Sequence, residues 1–501
     1  MSMKTRSKES KSSGFASIKK ATGIAGLDNV LGGGLPANRI YLVEGEPGAG
    51  KTTLALQFLL EGARLGDSGL YVTLSETKEE LELVAESHGW SVDGFSIYEL
   101  APQEDSLKSE SQYTIFHPSE IELGETTSAV LKEVERIKPQ RIVFDSLSEM
   151  RLLARDPLRF RRQILALKQY FARRQSTVLL LDDKVSQLQD LQLQSIVHGV
   201  LSLEQLAIEY GAERRRLRVI KMRGSRYRGG YHDFKIETGG LVVFPRLVAA
   251  NCRQDFVKET VTSNIKEIDL LLGGGLDRGT STLIIGPAGS GKSTLGAQFA
   301  AAAAARGEKS AIFVFDEVRE TYISRVIGIG TDIQKYVVEG LMTIQQVDPA
   351  ELSPGEFAHA VQDSVNSGGA RTVVIDSLNG YLNAMLEEHF LAVQMHELLT
   401  YLNQQGVITL LIMAQHGFLG QTVGAPADVS YLADTVLMLR YFEADGAVHR
   451  ALSVVKKRTG KHERTIRKLE ISSDGVRVGK ALTEFQGVLT GVPVFSGGKG
   501  N

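Results

Sequence analysis

Two glycine-rich segments of the chain carry the residue types that bind nucleotide phosphates. Residues 45–52 read GEPGAGKT and residues 286–293 read GPAGSGKS, and both match the pattern GxxxxGK[ST]. Each segment follows an apolar, strand-like run and precedes a helix-like one, as a phosphate loop requires. Glycines let backbone N–H groups turn toward phosphate oxygens, and the lysine neutralises the β- and γ-phosphates. We therefore predict two Mg·ATP sites. Their phosphate contacts come from Gly48, Ala49, Gly50, Lys51, Thr52 and Thr53, and from Gly289, Ser290, Gly291, Lys292, Ser293 and Thr294.

Two aspartates end apolar runs further along the chain. Asp145 closes IVFD and Asp376 closes VVID. A carboxylate at the end of a strand beside a phosphate loop holds magnesium, directly or through water, together with the loop hydroxyl. The alternative is an ordinary turn residue, and the recurrence of the pattern favours the metal. We predict magnesium ligands at Thr52, Asp145, Ser293, Asp316 and Asp376.

A second set of acids follows each phosphate-loop lysine at the same distance. Glu76 lies 25 residues after Lys51 (76 − 51 = 25), and Glu317, preceded by Asp316, lies 25 residues after Lys292 (317 − 292 = 25). A carboxylate at such a strand end can align an attacking water or accept a proton from an attacking hydroxyl. The alternative role is an N-cap or first-turn acid of the next helix. We predict that Glu76, Asp316 and Glu317 are catalytic.

These motifs recur because the chain contains the same pattern twice. The segment 22–53 is echoed by 263–294, and the two lysines are 241 residues apart (292 − 51 = 241). Strands alternate with helical patterns in both copies, which predicts parallel βαβ units. The predicted fold class is α/β, with two tandem RecA-like P-loop domains, each a mainly parallel sheet flanked by helices. The predicted boundaries are a disordered basic arm at 1–18, a first domain at 19–246, a linker at 247–260, a second domain at 261–495 and a flexible tail at 496–501.

Composition narrows the class of protein. The chain has 501 residues, 43% of them hydrophobic and 23% charged, and this balance is typical of folded globular domains. Its single cysteine, Cys252, permits no internal disulfide, so we expect a reducing, cytoplasmic location. No apolar run approaches the roughly 20 residues that span a bilayer. The formal net charge of −2 gives no reason to expect nucleic acid as a partner.

A basic pair also recurs. Lys221 and Arg223 match Lys456 and Arg458 at one offset (456 − 221 = 458 − 223 = 235). In a monomer they would form an exposed basic strand end, whereas in a ring they could reach a neighbour's γ-phosphate as arginine fingers do. The run Arg214–Arg228 could also be a nucleic-acid patch. The recurrence of only the lysine and arginine favours a subunit interface.

Taken together, these motifs resemble the KaiC family of circadian-clock ATPases. The resemblance extends from about Thr22 to Phe495 and includes TGIAGLD, LGGGLP, both phosphate loops, DSL and the KxR pairs. It implies two stacked rings in a homohexamer with ATP between neighbouring subunits. It also implies slow ATP hydrolysis in the first domain, reversible autophosphorylation in the second, and a KaiB-like or response-regulator protein as a partner.

The resemblance assigns further residues. Around the first nucleotide it places Ser87, Lys221, Arg223 and Ser225, and around the second it places Arg450, Lys456, Arg458 and His462. His462 has an alternative role as an exposed polar residue. The expected phosphoacceptor is Ser430, which is followed by Tyr431 where the family has a threonine. The family's paired glutamates are Ser75-Glu76 in the first domain and Asp316-Glu317 in the second.

The sequence thus predicts an ATPase and serine/threonine autokinase that signals or keeps time through phosphorylation-dependent partner binding. Two alternatives remain open. One is a RecA-like, DNA-dependent motor or recombinase, and the other is a nucleotide-gated scaffold with little catalysis.

Overall fold

A computed structural model describes most of the chain. The described residues are 18–100, 118–154, 156–184, 193–207, 211–383, 391–415, 430–444, 446–490 and 494–495. The predicted arm, except residue 18, and the predicted tail lie outside them. The chain divides into two compact units, the first ending at Arg246 and the second beginning at Leu247, with residues 210–212 grouped with the second.

The first unit contains a nine-stranded sheet. Its strands, in spatial order, are Gly240–Phe244, Tyr231–Glu237, Arg214–Met222, Gly199–Leu206, Ile40–Gly45, Thr177–Asp183, Arg141–Asp145, Gly69–Thr73 and Ser96–Glu99. The six strands from Gly199–Leu206 to Ser96–Glu99 pair in parallel, and the other three pair antiparallel. The described helices are Ala25–Val30, Lys51–Arg64, Lys78–Ser87, Pro118–Ile137, Leu147–Ala154 and Pro157–Ala172.

The second unit repeats this order. Its sheet runs Gly475–Ala481, Arg467–Ser472, Ala447–Lys457, Thr435–Ala444, Ser281–Gly286, Ile408–Ala414, Ala370–Asp376, Lys309–Val314 and Met342–Gln346. The α-helices are Lys266–Leu271, Lys292–Ala305, Arg319–Gly328, Gln334–Val338, Pro354–Asn366, Leu378–Asn383 and Leu391–Gln404, and the 3₁₀ turns are Ala249–Asn251, Ser430–Leu432 and Val488–Thr490. The predicted fold class, two tandem RecA-like domains, is confirmed.

Three short strand pairs complete the described elements. They are Lys19–Lys20 with Leu35–Pro36, Thr260–Val261 with Leu276–Asp277, and Phe485–Gln486 with Val494–Phe495. Among the described residues, none of the helices combines the length and hydropathy of a bilayer-spanning segment.

Both faces of each sheet are buried, which explains the uninterrupted apolar strands. In the first sheet Tyr41 and Val43 pack into one core, and Ile40 and Leu42 pack into the core on the opposite face. Successive side chains of a strand point to opposite faces, so a strand with helices on both sides must be apolar throughout. The only positions along such a strand that can carry chemistry are therefore its ends.

Candidate functional sites

Each phosphate loop is a tight turn that leads straight into a helix. Gly50 and Gly291 have φ angles of 94° and 102°, in the left-handed region, and the next residues, Lys51 and Lys292, begin the helices. The positive φ of Gly291 favours glycine, and a Cβ atom there would also lie 2.2 Å from Ile471 Cδ1, so that side chain would have to shift. The geometry leaves free N–H groups at a helix N-terminus, where anions bind.

The two loop lysines differ in their surroundings. Lys51 Nζ donates to the carbonyl oxygens of Gly45 and Glu46 at 2.9 Å each and lies 2.9 Å from Asp183 Oδ1. Lys292 Nζ donates to the Pro287 carbonyl at 2.7 Å and, among the described residues, forms no ion pair. Burial lowers the pKa of Lys292, whereas nearby Asp376 raises it.

The loop hydroxyls lie beside the strand-end aspartates, the residues predicted to bind magnesium. Thr52 Oγ1 donates to Asp145 Oδ2 at 3.2 Å, and the Ser293 hydroxyl lies close enough to Asp376 to offset part of the rise that burial causes in the pKa of its carboxyl. Both aspartates are buried, and Tyr71 donates a hydrogen bond to Asp145. Burial raises the pKa of both carboxyls, to about 6 for Asp376.

This hydroxyl and carboxylate set suits a magnesium ion. Asp376 Oδ2 is buried and has no hydrogen-bond partner among the described residues, so it is an oxygen ligand still available. In the same described ranges, no cluster of three or more acidic, histidine or cysteine side chains surrounds a potential metal position. Magnesium typically takes one or two protein ligands and completes its shell with water and substrate phosphates.

The predicted catalytic acids lie beside the strand-end aspartates. Thr73 pairs with Asp145, and Val314 pairs with Asp376, so the residues that follow these strands meet at one edge. Burial raises the pKa of Glu76, and the charge of Asp145 raises it further. Glu76 Oε2 is buried and has no hydrogen-bond partner within the described ranges.

Neither glutamate caps the helix that follows it. In the first domain the cap is Thr77, which accepts from Glu80 N at 3.2 Å while Thr77 N donates to Glu80 Oε2 at 2.8 Å. In the second domain the N-cap position is Val318, which has no side-chain cap. The helix-cap alternative therefore does not account for Glu76 or Glu317.

The acids of the second domain have partners. Ser377 Oγ donates to Asp316 Oδ2. Arg325 donates hydrogen bonds to both carboxylate oxygens of Glu317, from Nε to Oε1 at 3.1 Å and from Nη2 to Oε2 at 2.7 Å. The predicted catalytic carboxylates of the two domains therefore differ in their hydrogen-bond partners.

The recurring basic pairs lie far from the phosphate loops of their own domains. Lys221 pairs with Val200, which is in register with Leu42, three residues before Gly45. At about 3.3 Å per residue, Lys221 therefore lies about 10 Å from the start of the phosphate loop, measured along the strand direction. The lysine donates to Gln194 O, and Arg223 Nη2 donates to the Ser195 carbonyl at 3.0 Å.

The second domain has the same register. Lys456 pairs with Val436, which is in register with Leu283, three residues before Gly286. Lys456 Nζ donates to the Ala433 carbonyl at 2.7 Å. Neither basic pair can reach the phosphate loop of its own domain from this edge.

Arg450 lies at the opposite end of the same strand. It pairs with Tyr441, and its Nε lies 3.4 Å from the Gly289 carbonyl in the phosphate loop. The four residues predicted around the second nucleotide are thus split, with Arg450 at its own phosphate loop and Lys456 and Arg458 at the far edge. His462 is half-buried. It lies, with Lys461, close in space to the turn at Gly273.

Within the described ranges, two residues predicted at the first site hydrogen-bond to neighbours in sequence. Ser87 ends the helix Lys78–Ser87, and its Oγ donates to the Val84 carbonyl at 2.7 Å. Ser225 lies in the turn after Arg223, and its Oγ donates to the Arg226 carbonyl at 3.3 Å.

The predicted acceptor segment adjoins the basic pair of the second domain. Ser430 begins the 3₁₀ turn Ser430–Leu432, and Arg458 Nη2 donates to the Tyr431 carbonyl at 3.1 Å. Arg458 Nη1 also lies 3.4 Å from Asp434 Oδ1. The segment is fixed to the start of the phosphate-loop strand, because Ser281 Oγ donates to the Leu432 carbonyl at 3.1 Å.

The additional arginines of the first domain are engaged within the chain. Arg216 Nε donates to Glu204 Oε2 at 3.0 Å, and Arg215 Nη2 donates to Glu213 Oε2 at 2.8 Å. The guanidinium groups of Arg216 and Arg218 lie 4.1 and 5.1 Å from the centre of the Tyr231 ring. Arg215, Arg216 and Arg218 of the basic run thus have acidic or aromatic partners within the chain.

Comparison with known proteins decides the family. A model of the KaiC ATPase matches residues 20–248 and again residues 261–483. The chain belongs to the KaiC ATPase family. It is 26% identical over 488 residues to the circadian clock protein KaiC3 of Synechocystis sp., covering 95% of each chain. It is 24% identical over 490 residues to the circadian clock oscillator protein KaiC of Synechococcus elongatus, covering 95% of this chain and 92% of that one.

As a KaiC-family ATPase, the chain binds nucleotide, and its two phosphate loops are the structural basis for that binding. Sequence reasoning missed two residues at these KaiC-type sites. Asp183 ends the strand next to the first loop, and a search for acids at every parallel strand end would have found it. Arg325 is separated from Glu317 by two helical turns, and comparison with Val84 at the matching position of the first repeat would have singled it out.

Proposed function

We propose that the protein is a Mg²⁺-dependent, KaiC-type ATPase and serine autokinase. In this proposal it works as a homohexamer whose ATP sites lie between subunits, and phosphorylation controls the binding of a KaiB-like or response-regulator protein. Clock proteins such as KaiC3 and KaiC are its relatives over nearly the full chain, which supports a signalling or timing role.

One contact supports the autokinase most strongly. Arg458, the proposed arginine finger, holds the Tyr431 carbonyl, and Tyr431 adjoins Ser430. An interface that brings Arg458 to a neighbour's γ-phosphate therefore also brings the acceptor segment close. The same edge is too far from its own phosphate loop for transfer within the subunit.

The chemistry assigns a role to each group. The Ser430 hydroxyl oxygen forms a bond to the γ-phosphorus, the bond from that phosphorus to the β–γ bridging oxygen breaks, and ADP leaves with the electron pair. A carboxylate of the Asp316-Glu317 pair takes the hydroxyl proton. In the first domain water replaces the hydroxyl and Glu76 is the proton acceptor. Magnesium, when bound, neutralises the phosphate oxygens. Thr52, Asp145, Ser293 and Asp376, with Asp316 nearby, are the residues that would hold it.

Each remaining predicted contact has a place in an intersubunit site. Lys221, Arg223, Lys456 and Arg458 would enter from the neighbour, since they cannot reach their own loops. Arg450 would contact the nucleotide of its own subunit, since it touches the Gly289 carbonyl. We assign Ser87, Ser225 and His462 to the rims of these sites.

Mixed rings test the proposal. A Lys292→Ala subunit, which cannot use ATP in its second domain, is mixed with a Ser430→Ala subunit, which has no acceptor. Incubation with Mg·ATP and mass spectrometry of the peptides should show phosphate on Ser430 of the Lys292→Ala chain only in the mixture. Phosphate on neither chain, with wild-type protein also unmodified while ATP is consumed, would reduce the function to ATP hydrolysis. Sedimentation in Mg·ATP measures the hexamer independently.

A further inference from the structure

The second domain contains an ion pair between Arg325 and Glu317, one of its two predicted catalytic acids. Arg325 lies on the helix Arg319–Gly328, and its guanidinium is bound to both carboxylate oxygens of Glu317. The guanidinium also lies 5.0 Å from the centre of the Tyr322 ring, and the Tyr322 side chain is completely buried. The arginine is thus held from two sides, by a carboxylate and by an aromatic ring.

The first domain lacks this arrangement. The offset between the catalytic glutamates is 241 (317 − 76 = 241), and the same offset aligns Arg325 with Val84 (325 − 84 = 241). Valine cannot pair with a carboxylate. Accordingly, Glu76 keeps a buried oxygen without a hydrogen-bond partner among the described residues, while Glu317 has none of its oxygens unengaged.

A carboxylate bound in this way has both oxygens engaged. Glu317 already accepts charge-assisted hydrogen bonds from Arg325 through Oε1 and Oε2, so neither oxygen is free to face an attacking water or hydroxyl. The carboxylate of Asp316 is bound less strongly than that of Glu317, since its partner is the neutral hydroxyl of Ser377. The two acids of the second domain are therefore not equivalent.

We infer that Arg325 is a positioning residue that withholds Glu317 from proton transfer, so that the second domain works through Asp316 while the first works through Glu76. This inference rests on the proposed function of the second site. In the reaction, the proton of the attacking water or serine hydroxyl passes to Asp316, and Glu317 stays paired with Arg325. Breaking the pair would give the second domain another competent acid.

The diagnostic experiment is a gain of activity, which a purely structural arginine would not produce. It uses full-length Glu76→Gln protein, so that turnover at saturating Mg·ATP reports on the second domain. Asp316→Asn should lower that turnover by roughly 100-fold, the usual contribution of a general base. Adding Arg325→Val should recover about tenfold through the released Glu317, and adding Glu317→Gln as well should remove the recovery.

Two controls separate charge from positioning. Arg325→Lys keeps a positive charge near Asp376, on which Arg325 acts electrostatically, but lacks the planar fork that binds both oxygens. The turnover recovered with Arg325→Lys should lie between that of the protein that keeps Arg325 and that of the Arg325→Val protein. The matched change Val84→Arg, made in Asp316→Asn/Glu317→Gln protein, should lower first-domain turnover by about tenfold by pairing with Glu76.

The failures are distinguishable. No turnover in the Glu76→Gln protein would overturn the proposed function of the second site and this inference with it. Turnover that falls with Asp316→Asn but does not recover with Arg325→Val would overturn the inference alone. Recovery that survives Glu317→Gln would also overturn it, because the released acid would then not be the source.

Discussion

Lys51 Nζ lies 2.9 Å from Asp183 Oδ1, so the phosphate-binding lysine of the first domain is already paired with an acid of its own chain. Asp183 is in register with Gly45, and the matching partner of Gly286 in the second domain is Ala414. ATP must therefore compete with a carboxylate in the first site but not at this position in the second.

Removing the competing acid should strengthen nucleotide binding. We expect Asp183→Ala to lower the dissociation constant of the first site by roughly fivefold, since a partly exposed pair is worth about 1 kcal/mol. Titration with a fluorescent ATP analogue in Lys292→Ala protein measures it. The matched variant Ala414→Asp, tested in Lys51→Ala protein, should weaken the second site. Unchanged affinity in both would show that the acid does not compete.

Glu76 should carry the catalysis of the first domain. We expect Glu76→Gln to lower first-domain ATP turnover by roughly 100-fold and to leave ATP binding intact, because the amide cannot accept the proton. Phosphate release in Asp316→Asn/Glu317→Gln protein measures it. Glu79→Gln is the control, since Glu79 is exposed in the first turn of the next helix. Equal losses in both variants would argue against a catalytic role.

Arg141 should be a major source of stability in the first domain. Its side chain is fully buried, with Nε 2.9 Å from Asp67 Oδ2 and Nη1 2.6 and 2.8 Å from the Ala21 and Phe58 carbonyls. We expect Arg141→Ala to lower the free energy of unfolding by about 3–5 kcal/mol, since it leaves the buried partners unpaired. The second domain has Thr372 at this position, and Thr372→Ala is the matched control. Urea unfolding followed by circular dichroism distinguishes the two.

Two histidines should make the first domain sensitive to acid. Burial lowers the pKa of His198 and of His232 to about 4. Below the ordinary histidine pKa of about 6.5, the unfolded chain binds a proton at each residue but the folded chain does not. The free energy of unfolding therefore falls as the pH drops from 6.5 to 4 and then levels off. The loss is roughly 3 kcal/mol for His232, whose side chain is fully buried, and smaller for the partly exposed His198, which solvent screens.

His232 allows this to be tested. Its Nδ1 accepts from Arg246 N at 2.8 Å, and its Nε2 lies 3.0 Å from the Arg228 carbonyl, so the neutral ring serves both partners. We expect His232→Gln to destabilise the protein at pH 7.5 but to reduce the loss between pH 6.5 and 4. Thermal unfolding across this pH range measures both effects. An unchanged slope would mean that the proton is taken up elsewhere.

The sequence was most informative where chemistry is tied to the ends of strands. Both phosphate loops and the contacts of Thr52 with Asp145 and of Ser293 with Asp376 followed from local motifs, because a buried parallel strand can carry polar groups only at its ends. The recurrence of each motif in the second copy strengthened the prediction.

What the sequence did not reveal depends on side-chain direction across elements. The pairing of Glu317 with Arg325 joins a strand end to a helix face, and no local spacing rule requires it. The separation of Arg450 from Lys456 became visible only in the strand register, which places them at opposite ends of one strand. The family resemblance had grouped both residues around the second nucleotide.

The placement of Arg458 and Ser430 at the edge opposite the phosphate loop gives every subunit two unlike faces. If one face supplies the finger and acceptor and the other supplies the ATP, the interface is heterologous, and subunits can add only head to tail. A symmetric dimer would complete no site, and only a closed ring completes all of them. A subunit that lacks Arg458 would still use its own ATP, because its neighbour supplies that arginine. The loss of activity would instead appear at the ATP site of the adjacent subunit, which the missing Arg458 would have completed.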